Sequence, residues 1–440
     1  MNKLKWFWGN LQASFWFLPS LIVVGSIAIA IALIEADSTG SREWLDRWPH
    51  LFGASAAGAR GMLSTIAGSM MTVVGVTFSM TLVTLALASS QYTSRILRNF
   101  MRDRVTQVVL GIFAGIFTYC LIVLRTIRGG ENTFVPSLAV FFGVVLAIGG
   151  ISVLIYFIHH IASSIQASNI IASVAAETMQ AIDRMFPKKT GHGPADDERD
   201  SASPPLPACI WQTVAAPGNG YIQSVDNATL LRLAREHRTI IRMESGVGEF
   251  VVHNAPLASL AMDTQPDKAV IADLQGAYSI DRYRTVEQDI GFGVGQIVDI
   301  ALRALSPGIN DTTTAEMCVD YLTAILAQLA SRSIASSQQF EDGQLRIITV
   351  GPTFASLVAA SFDQIRESAK GNVAIMIRML GALETIGDLT ASSGRRRMLG
   401  AQVQWIAELA ERTIESPQDL ARIASRLVRV LAASELPRCE

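Results

Sequence analysis

MLSTIAGSMMTVVGVTFSMTLVTLALA, residues 62–88, is a mostly apolar stretch without a charged side chain. A helix that spans a bilayer needs about 20 consecutive, predominantly apolar residues. Three further runs of this kind are residues 15–34, 108–124 and 134–158, and no comparable run follows His160. The sequence therefore predicts an α-helical integral membrane protein with four transmembrane helices within residues 1–161.

The first apolar run could be mistaken for a cleaved signal peptide. It follows Lys3 and Lys5 and contains small residues at Ala28 and Ala30. Its apolar length exceeds the roughly 7 to 15 residues of a signal-peptide core. We therefore expect a retained membrane anchor.

Basic residues close to the spans predict the orientation, because cytoplasmic loops are enriched in Lys and Arg. The loop between the second and third spans carries four arginines: Arg95, Arg98, Arg102 and Arg104. The loop between the first and second spans mixes both signs of charge, whereas Arg125 and Arg128 lie on the side that the rule disfavours. On balance, the pattern predicts that both termini are cytoplasmic.

Hydroxyl side chains recur with helical spacing in residues 62–88. One stripe consists of Thr77, Thr81 and Thr84 and continues to Gln91. A second stripe, rotated from the first, consists of Thr65, Ser69, Thr72 and Ser79. Small polar residues let membrane helices pack closely and hydrogen-bond, but the first stripe could instead line a hydrated path. The absence of charge argues against a proton relay or ion-pair transport.

The four arginines have two compatible interpretations besides setting the topology. Near an anionic leaflet each contributes about 1 kcal/mol of binding to lipid headgroups, and they could also form the cytoplasmic mouth of a pore. Membrane lipids are therefore predicted partners. The formal net charge of −2 argues against nucleic acid as a partner.

The remainder of the chain predicts a cytoplasmic α+β region. Residues 162–207 begin as a helix and continue as a flexible linker rich in Pro, Gly and Ser. Residues 208–284 alternate apolar and polar residues between Gly and Pro, which predicts a small β-rich domain. In residues 285–440 apolar residues recur three and four apart, which predicts an α-helical domain.

The β-rich segment loosely resembles barrel-sandwich domains of the biotinyl and lipoyl type. In those carriers a lysine on a hairpin tip holds the prosthetic group, and Lys268 lies near the corresponding place. A Pro-Asp-Lys sequence is also ordinary hairpin chemistry. We therefore predict no cofactor.

The most polar group of residues in the soluble part surrounds SPGINDTTTA, residues 306–315. It contains Asp289, Asp299, Asn310 and Asp311, with Glu287 nearby. Carboxylate and amide oxygens suit Mg²⁺ or Ca²⁺, but the same residue types cap helix N-termini. A cation site and a capping role both stay open, and Thr313 with Glu316 forms a candidate capping box.

Two long stretches carry a resemblance to a known family. They are FSMTLVTLALASSQYTSRILRNFMRDRVTQVVLGIFAGIFTYCLIVLRTIR, residues 78–128, and EQDIGFGVGQIVDIALRALSPGINDTTTA, residues 287–315. Both resemble the bacterial predicted membrane proteins grouped as domain of unknown function 2254. The resemblance implies four N-terminal membrane helices and a cytoplasmic C-terminal region, and it implies no reaction, substrate or ligand. We expect the protein to lie in the bacterial inner membrane.

The sequence favours a passive channel over an enzyme. It contains no nucleophile elbow, phosphate loop, kinase motif set or zinc-protease motif. Four helices per chain are few for a monomeric pore, so a channel predicts a homo-oligomer, and the arginines predict a preference for anions. The competing hypothesis is a non-conducting receptor or scaffold that couples a cytoplasmic ligand or partner to the membrane.

Overall fold

A computed structural model describes residues 16–39, 55–91, 103–128, 134–186, 209–332, 334, 337–390 and 392–434. The chain forms two compact units, Met1–Gln166 and Ala167–Glu440. The first contains the apolar helices and is called the membrane unit, and the second is called the soluble unit. Most described residues are helical, and the strands are confined to the soluble unit.

Among its described residues, the membrane unit contains four helices that are long and apolar enough to cross a membrane. Their bounds are α1 Phe17–Thr39, α2 Ala56–Gln91, α3 Arg104–Thr126 and α4 Ser137–Ser164. The sequence predicted the existence of all four. The apolar pattern underestimated α2, which begins six residues before residue 62, because a helix continues beyond the apolar stretch that suits hydrocarbon.

The third helix is the centre of the membrane unit, since α3 packs against α1, α2 and α4. A Cβ added at Gly111 would lie 2.7 Å from Cδ1 of Ile22 on α1, and one at Gly115 would collide with Oγ of Ser26. This Gly-x-x-x-Gly pair therefore permits the close approach of α1, as small residues do between membrane helices.

Polar contacts fix helix ends that are distant in the sequence. The Asp37 carboxylate at the end of α1 accepts hydrogen bonds from the amides of Leu138 (3.3 Å) and Ala139 (3.1 Å). The first turn of α4 is thereby capped by another helix. The Arg60 guanidinium on α2 donates to the Ile127 carbonyl over 2.7 Å. These contacts stabilise one end of the bundle.

The soluble unit begins with α5, Ala167–Met185, and continues into an α+β segment. Its elements are β1 Trp211–Ala215, β2 Gly220–Val225, α6 Asn227–Glu236, β3 Ile241–Met243, β4 Phe250–Val251, β5 Pro256–Ala261, α7 Lys268–Gly276 and β6 Tyr278–Asp281. Later strands β7 Gln338–Glu341 and β8 Gln344–Ile348 complete a five-stranded sheet of order β1-β5-β3-β8-β7. The second sheet has the order β4-β2-β6.

The first sheet corrects one prediction, because residues 285–440 are not helical throughout. Strands β7 and β8 form an antiparallel hairpin, and β8 pairs in parallel with β3. Asp342 and Gly343 at the turn both have positive φ, 53° and 74°. An Asp-Gly pair of this conformation is a strong hairpin signal. The later segment therefore contributes to the sheet of the earlier one.

The hairpin-tip interpretation of Lys268 is wrong. Lys268 is the first residue of α7, preceded by Asp267 at the N-cap position. Aspartate is a common N-cap residue, although the side chain of Asp267 makes no cap hydrogen bond to this helix. The resemblance of the two sheets to a barrel-sandwich domain stays a prediction.

The second segment begins with α8, Ile290–Ala304, which packs against α5 and against the two helices that follow it. The others are α9 Thr312–Ala330, α10 Phe354–Ser368, α11 Val373–Leu389, α12 Ser393–Thr413 and α13 Pro417–Ser434. The last helix begins with proline after Ser416, whose Oγ accepts from the Asp419 amide over 3.3 Å. Serine followed by proline at the first helical position is a typical helix start.

Candidate functional site

The threonine stripe of α2 lies on the face that packs within the membrane unit. Thr77 and Thr84 are buried, 1% and 5% exposed, and Thr81 is half-buried. The same face carries the buried residues Leu63 and Met70. Because a helix turns once every 3.6 residues, these positions form one continuous stripe.

Each hydroxyl of this stripe is satisfied by its own helix. Oγ1 of Thr77 donates to the Val73 carbonyl (2.8 Å), and Oγ1 of Thr81 donates to the Thr77 carbonyl (2.8 Å). Oγ1 of Thr84 donates to the Met80 carbonyl over 2.9 Å. Such bonds to the preceding turn let hydroxyls reside in hydrocarbon. The geometry of one subunit thus gives these threonines a packing environment.

The opposite face of α2 is exposed in the single subunit and carries small residues. They follow one another at spacings of four and three: Gly61, Thr65, Gly68, Thr72, Gly75 and Ser79. At 3.6 residues per turn this stripe lies about 180° from the threonine stripe. We call it the outer face of α2. Its three hydroxyl residues belong to the second stripe that the sequence predicted, but the glycines between them were not singled out.

The glycines of the outer face are not required by packing inside the subunit. A Cβ added at Gly61, Gly68 or Gly75 would have no described atom of a neighbouring element within 4 Å. Gly115 of α3 differs, because its Cβ would collide with α1. The contacts within one chain therefore do not explain why the residues of the outer face are small.

The arginines of the predicted cytoplasmic mouth fall largely outside the described part of the chain. Outside the described residues are Arg95, Arg98 and Arg102, and the side chain of Gln91. Arg104 is the first residue of α3 and is exposed. Their role at a mouth or on lipid headgroups stays a prediction.

An aspartate–histidine pair lies beside Arg104 and was missed by sequence reasoning. Asp103 caps α3 by accepting from the amides of Val105 and Thr106, and its Oδ2 lies 2.8 Å from Nε2 of His160 on α4. Burial opposes ionisation, but hydrogen bonds from Thr106 and His160 outweigh it and lower the pKa of Asp103. The pair therefore joins the start of α3 to the end of α4. Because 57 residues separate the partners, no local motif indicates it.

Two residues of the predicted polar group cap helices. Asp289 caps α8: Oδ1 accepts from the Phe292 amide (2.9 Å), and Oδ2 accepts from Nε of Arg284 (2.7 Å). Asp311 caps α9 by accepting from the Thr314 amide (3.0 Å). The hydrogen bonds from Thr314 lower the pKa of the Asp311 carboxyl. The cap is two residues before Thr313, so the predicted capping box at Thr313 is misplaced.

The other members of the group do not complete a metal site. Asp299 lies half-buried in the middle of α8, and Asn310 is exposed with a positive φ of 50°. Within the described ranges, no three His, Cys, Asp or Glu side chains are grouped so that they could hold a metal ion. The cation alternative gains no support from the described geometry, whereas Asp289 and Asp311 have capping partners.

The soluble unit contains a partly open cavity of about 760 Å³ that the sequence did not indicate. Phe186, Met243 and Met398 contribute to its apolar walls, and Thr353 and Arg395 contribute polar groups. A volume of this size is typical of small-molecule sites, roughly 300 to 1,000 Å³. Elements far apart in the chain line it, which is why no continuous motif marks it.

Comparison with known proteins places the chain in a family. A family model described as "Predicted membrane protein (DUF2254)" matches residues 12–385. An uncharacterized protein of Mycobacterium tuberculosis and one of Mycobacterium bovis are each 31% identical to this chain, over 99% of this chain and 84% of the relative. No solved structure matches. The chain therefore belongs to the DUF2254 family of predicted membrane proteins.

Proposed function

We propose that the protein is a homo-oligomeric passive channel in the bacterial inner membrane, in which outer faces of α2 from several copies surround a common axis. The observation that carries the proposal is the exposed stripe of glycines, threonines and serine on that face. The occupant of the face is a second copy of the same chain. Both termini are cytoplasmic in this proposal, and the protein is not an enzyme.

The glycines of the outer face favour self-association. In lipid there is little hydrophobic drive between helices, so close backbone approach through small residues supplies the contact energy. Gly61, Gly68 and Gly75 serve no such approach to the neighbouring elements described in one subunit. Contact with another copy of α2 gives their small size a physical role. The hydroxyl residues of the outer face lie about 40° around the helix from the glycines, so in a ring of copies the glycine edge contacts a neighbouring α2 while the hydroxyl edge turns towards the axis.

The hydroxyl groups of the outer face favour conduction. Oγ1 of Thr65 donates to the Gly61 carbonyl (2.8 Å), and Oγ1 of Thr72 donates to the Gly68 carbonyl (3.1 Å). The lone pairs of each hydroxyl oxygen can accept a hydrogen bond from water or contact a cation. An anion would be reached through a bridging water molecule. Rings of polar groups around an axis can replace part of the hydration of an ion. Because the stripe carries no charge, transport along it is passive.

The arginine-rich loop after α2 completes the proposal at the cytoplasmic mouth. Arg95, Arg98, Arg102 and Arg104 raise the local concentration of anions, since charged rims focus the field at a pore entrance. This preference is weaker than that of charges inside a pore. The same arginines contact anionic lipid headgroups in this proposal.

A non-conducting receptor or scaffold is the second candidate. It is favoured by the cavity of the soluble unit and by the inward packing of Thr77 and Thr84. In that case the soluble unit binds a ligand and the membrane unit acts as an anchor. In the channel proposal the same cavity belongs to a regulatory unit.

Ion flux into liposomes separates the candidates. Thr72→Val keeps the side-chain shape and removes a hydroxyl of the outer face, so flux should fall. Thr81→Val is the matched control on the inner face and should conduct as wild type. Arg98→Glu should shift selectivity away from anions. Folded, oligomeric wild-type protein that never conducts across a range of potential and pH would refute the channel and favour the receptor.

A further inference from the structure

The cavity of the soluble unit has a one-sided charge. Arg395 and Arg397 both contribute to its lining, and no acidic residue is among the described residues that line it. Clefts lined by a single sign of charge attract ligands of the opposite sign. The cavity is therefore complementary to an anion.

Arg395 is held in a fixed position. It is 4% exposed, and its Nη1 donates to the carbonyls of Ala330 (3.2 Å) and Arg332 (3.3 Å). Its guanidinium carbon lies 4.7 Å from the centroid of the Phe354 ring. Arg397 is exposed and has no comparable restraint among the described contacts. One arginine is thus preorganised, and the other can adjust to a ligand.

Two helix N-termini add partial positive charge to the same cavity. The first turns of α10 and α12 line it through Phe354 and Gly394. Their N-caps are the hydroxyl residues Thr353 and Ser392, and neither helix has an acidic residue in its first turn. No capping carboxylate neutralises these ends, so their dipoles favour a negative group.

The remaining walls are largely apolar. Phe186 follows α5, Met243 ends β3, and Met398 lies one turn after Gly394 on α12. The volume of about 760 Å³ exceeds what an inorganic ion alone needs. A ligand that fills the cavity must bury an apolar body as well as place a negative group near the arginines.

We propose that this cavity is a binding site for a water-soluble organic anion with an apolar body. The proposal concerns the soluble unit and does not depend on whether the membrane unit conducts. It gives the soluble unit a sensing role in either candidate function.

The test uses 1-naphthalenesulfonate as the anionic probe and 1-naphthalenesulfonamide as its neutral counterpart. Calorimetric titration of the full chain in phosphatidylcholine nanodiscs, corrected with empty nanodiscs, measures both affinities. We expect saturable binding with about one site per chain and an affinity for the sulfonate roughly tenfold higher than for the sulfonamide, because a single charge contact is worth about that factor.

Two pairs of variants assign the binding to the cavity. Arg397→Gln should weaken sulfonate binding roughly tenfold and leave sulfonamide binding unchanged, since it removes one charge contact. Arg396→Gln removes the neighbouring charge outside the lining and should change neither affinity. Ala355→Trp should block both probes by filling the cavity, whereas Ala360→Trp, exposed on the same helix α10, should not.

Several results would overturn the proposal. They are the absence of saturable sulfonate binding to folded wild-type protein, equal affinity for the two probes, and sulfonate binding that survives Ala355→Trp. Equal loss in Arg396→Gln and Arg397→Gln would assign the effect to general charge rather than to the cavity, and would contradict the proposal as well. Liposome flux is measured separately, so failure here and failure of the channel proposal are distinguishable.

Discussion

Replacing the two capping aspartates should have unequal costs although both begin helices. Asp289→Ala removes a carboxylate that is 6% exposed and that binds both the Phe292 amide and Arg284. The lost cap costs about 1 kcal/mol, and the lost hydrogen bond to a charged partner costs about 2 kcal/mol. Because Arg284 is 29% exposed, water compensates its charge once Asp289 is removed, so no further cost of an unpaired buried charge is added. We therefore expect a total of about 3 kcal/mol. Asp311→Ala loses only a cap and should cost about 1 kcal/mol.

Thermal unfolding of the full chain in detergent measures this difference, with proteolytic release of peptides from the soluble unit as the readout. A domain of 150 to 250 residues loses about 2 to 4 °C in Tm per kcal/mol. The expected decreases are therefore roughly 6 to 12 °C for Asp289→Ala and roughly 2 to 4 °C for Asp311→Ala. Asp263→Ala, an exposed aspartate outside any helix, is the control and should leave Tm unchanged.

A decrease in Tm for Asp289→Ala that is no larger than that for Asp311→Ala would refute the prediction of unequal costs. A second outcome would revive the cation alternative. If Mg²⁺ or Ca²⁺ raises the Tm of wild type, and both Asp289→Ala and Asp311→Ala remove that rise, then the two carboxylates act as ligands rather than only as caps.

Three further predictions concern other parts of the chain. The pKa of Asp311 is lowered in the folded state, so its stabilisation is present above the unfolded pKa and is lost as pH falls through the folded pKa; the difference in Tm between wild type and Asp311→Ala should stay constant from about pH 5 to 8 and shrink below about pH 4. Gly115→Leu should destabilise the membrane unit by about 1 to 3 kcal/mol through overpacking against α1, which should appear as aggregation in size-exclusion chromatography. The control is Gly149→Leu, where a Cβ has no described neighbour within 4 Å, and it should elute as wild type. A reporter that is active only in the periplasm should stay silent when fused after Glu440, and activity there would reverse the predicted orientation.

The helices of the membrane unit could be predicted from the sequence because a segment that spans hydrocarbon must be predominantly apolar. An apolar run of the required length has few alternatives to a spanning helix, so α1 to α4 were all predicted. The packing of these helices was not, since it depends on shape at single positions. Gly115 and Gly68 are the same residue type in similar surroundings, yet only Gly115 approaches another helix of the subunit.

Residues of the candidate sites could be predicted only where their partners are close in the sequence. Asp311 precedes a run of threonines, and its capping role follows from neighbours three residues away. The Asp103–His160 contact and the cavity beside Arg395 join residues that are far apart in the chain. The hairpin at Asp342 and Gly343 did carry a local signal, but the helical spacing of the flanking segments outweighed it in the prediction.

Cross-linking through single cysteines tests the central claim, that the outer face of α2 is the contact between copies. In a background with Cys120, Cys209, Cys318 and Cys439 replaced by serine or alanine, Thr72→Cys and Thr81→Cys place a thiol on opposite faces of the same helix. Oxidation in native membranes should convert Thr72→Cys to a covalent dimer and leave Thr81→Cys monomeric. Efficient cross-linking of Thr81→Cys with none at Thr72→Cys would contradict the account, because the outer face would then lie away from the other copies.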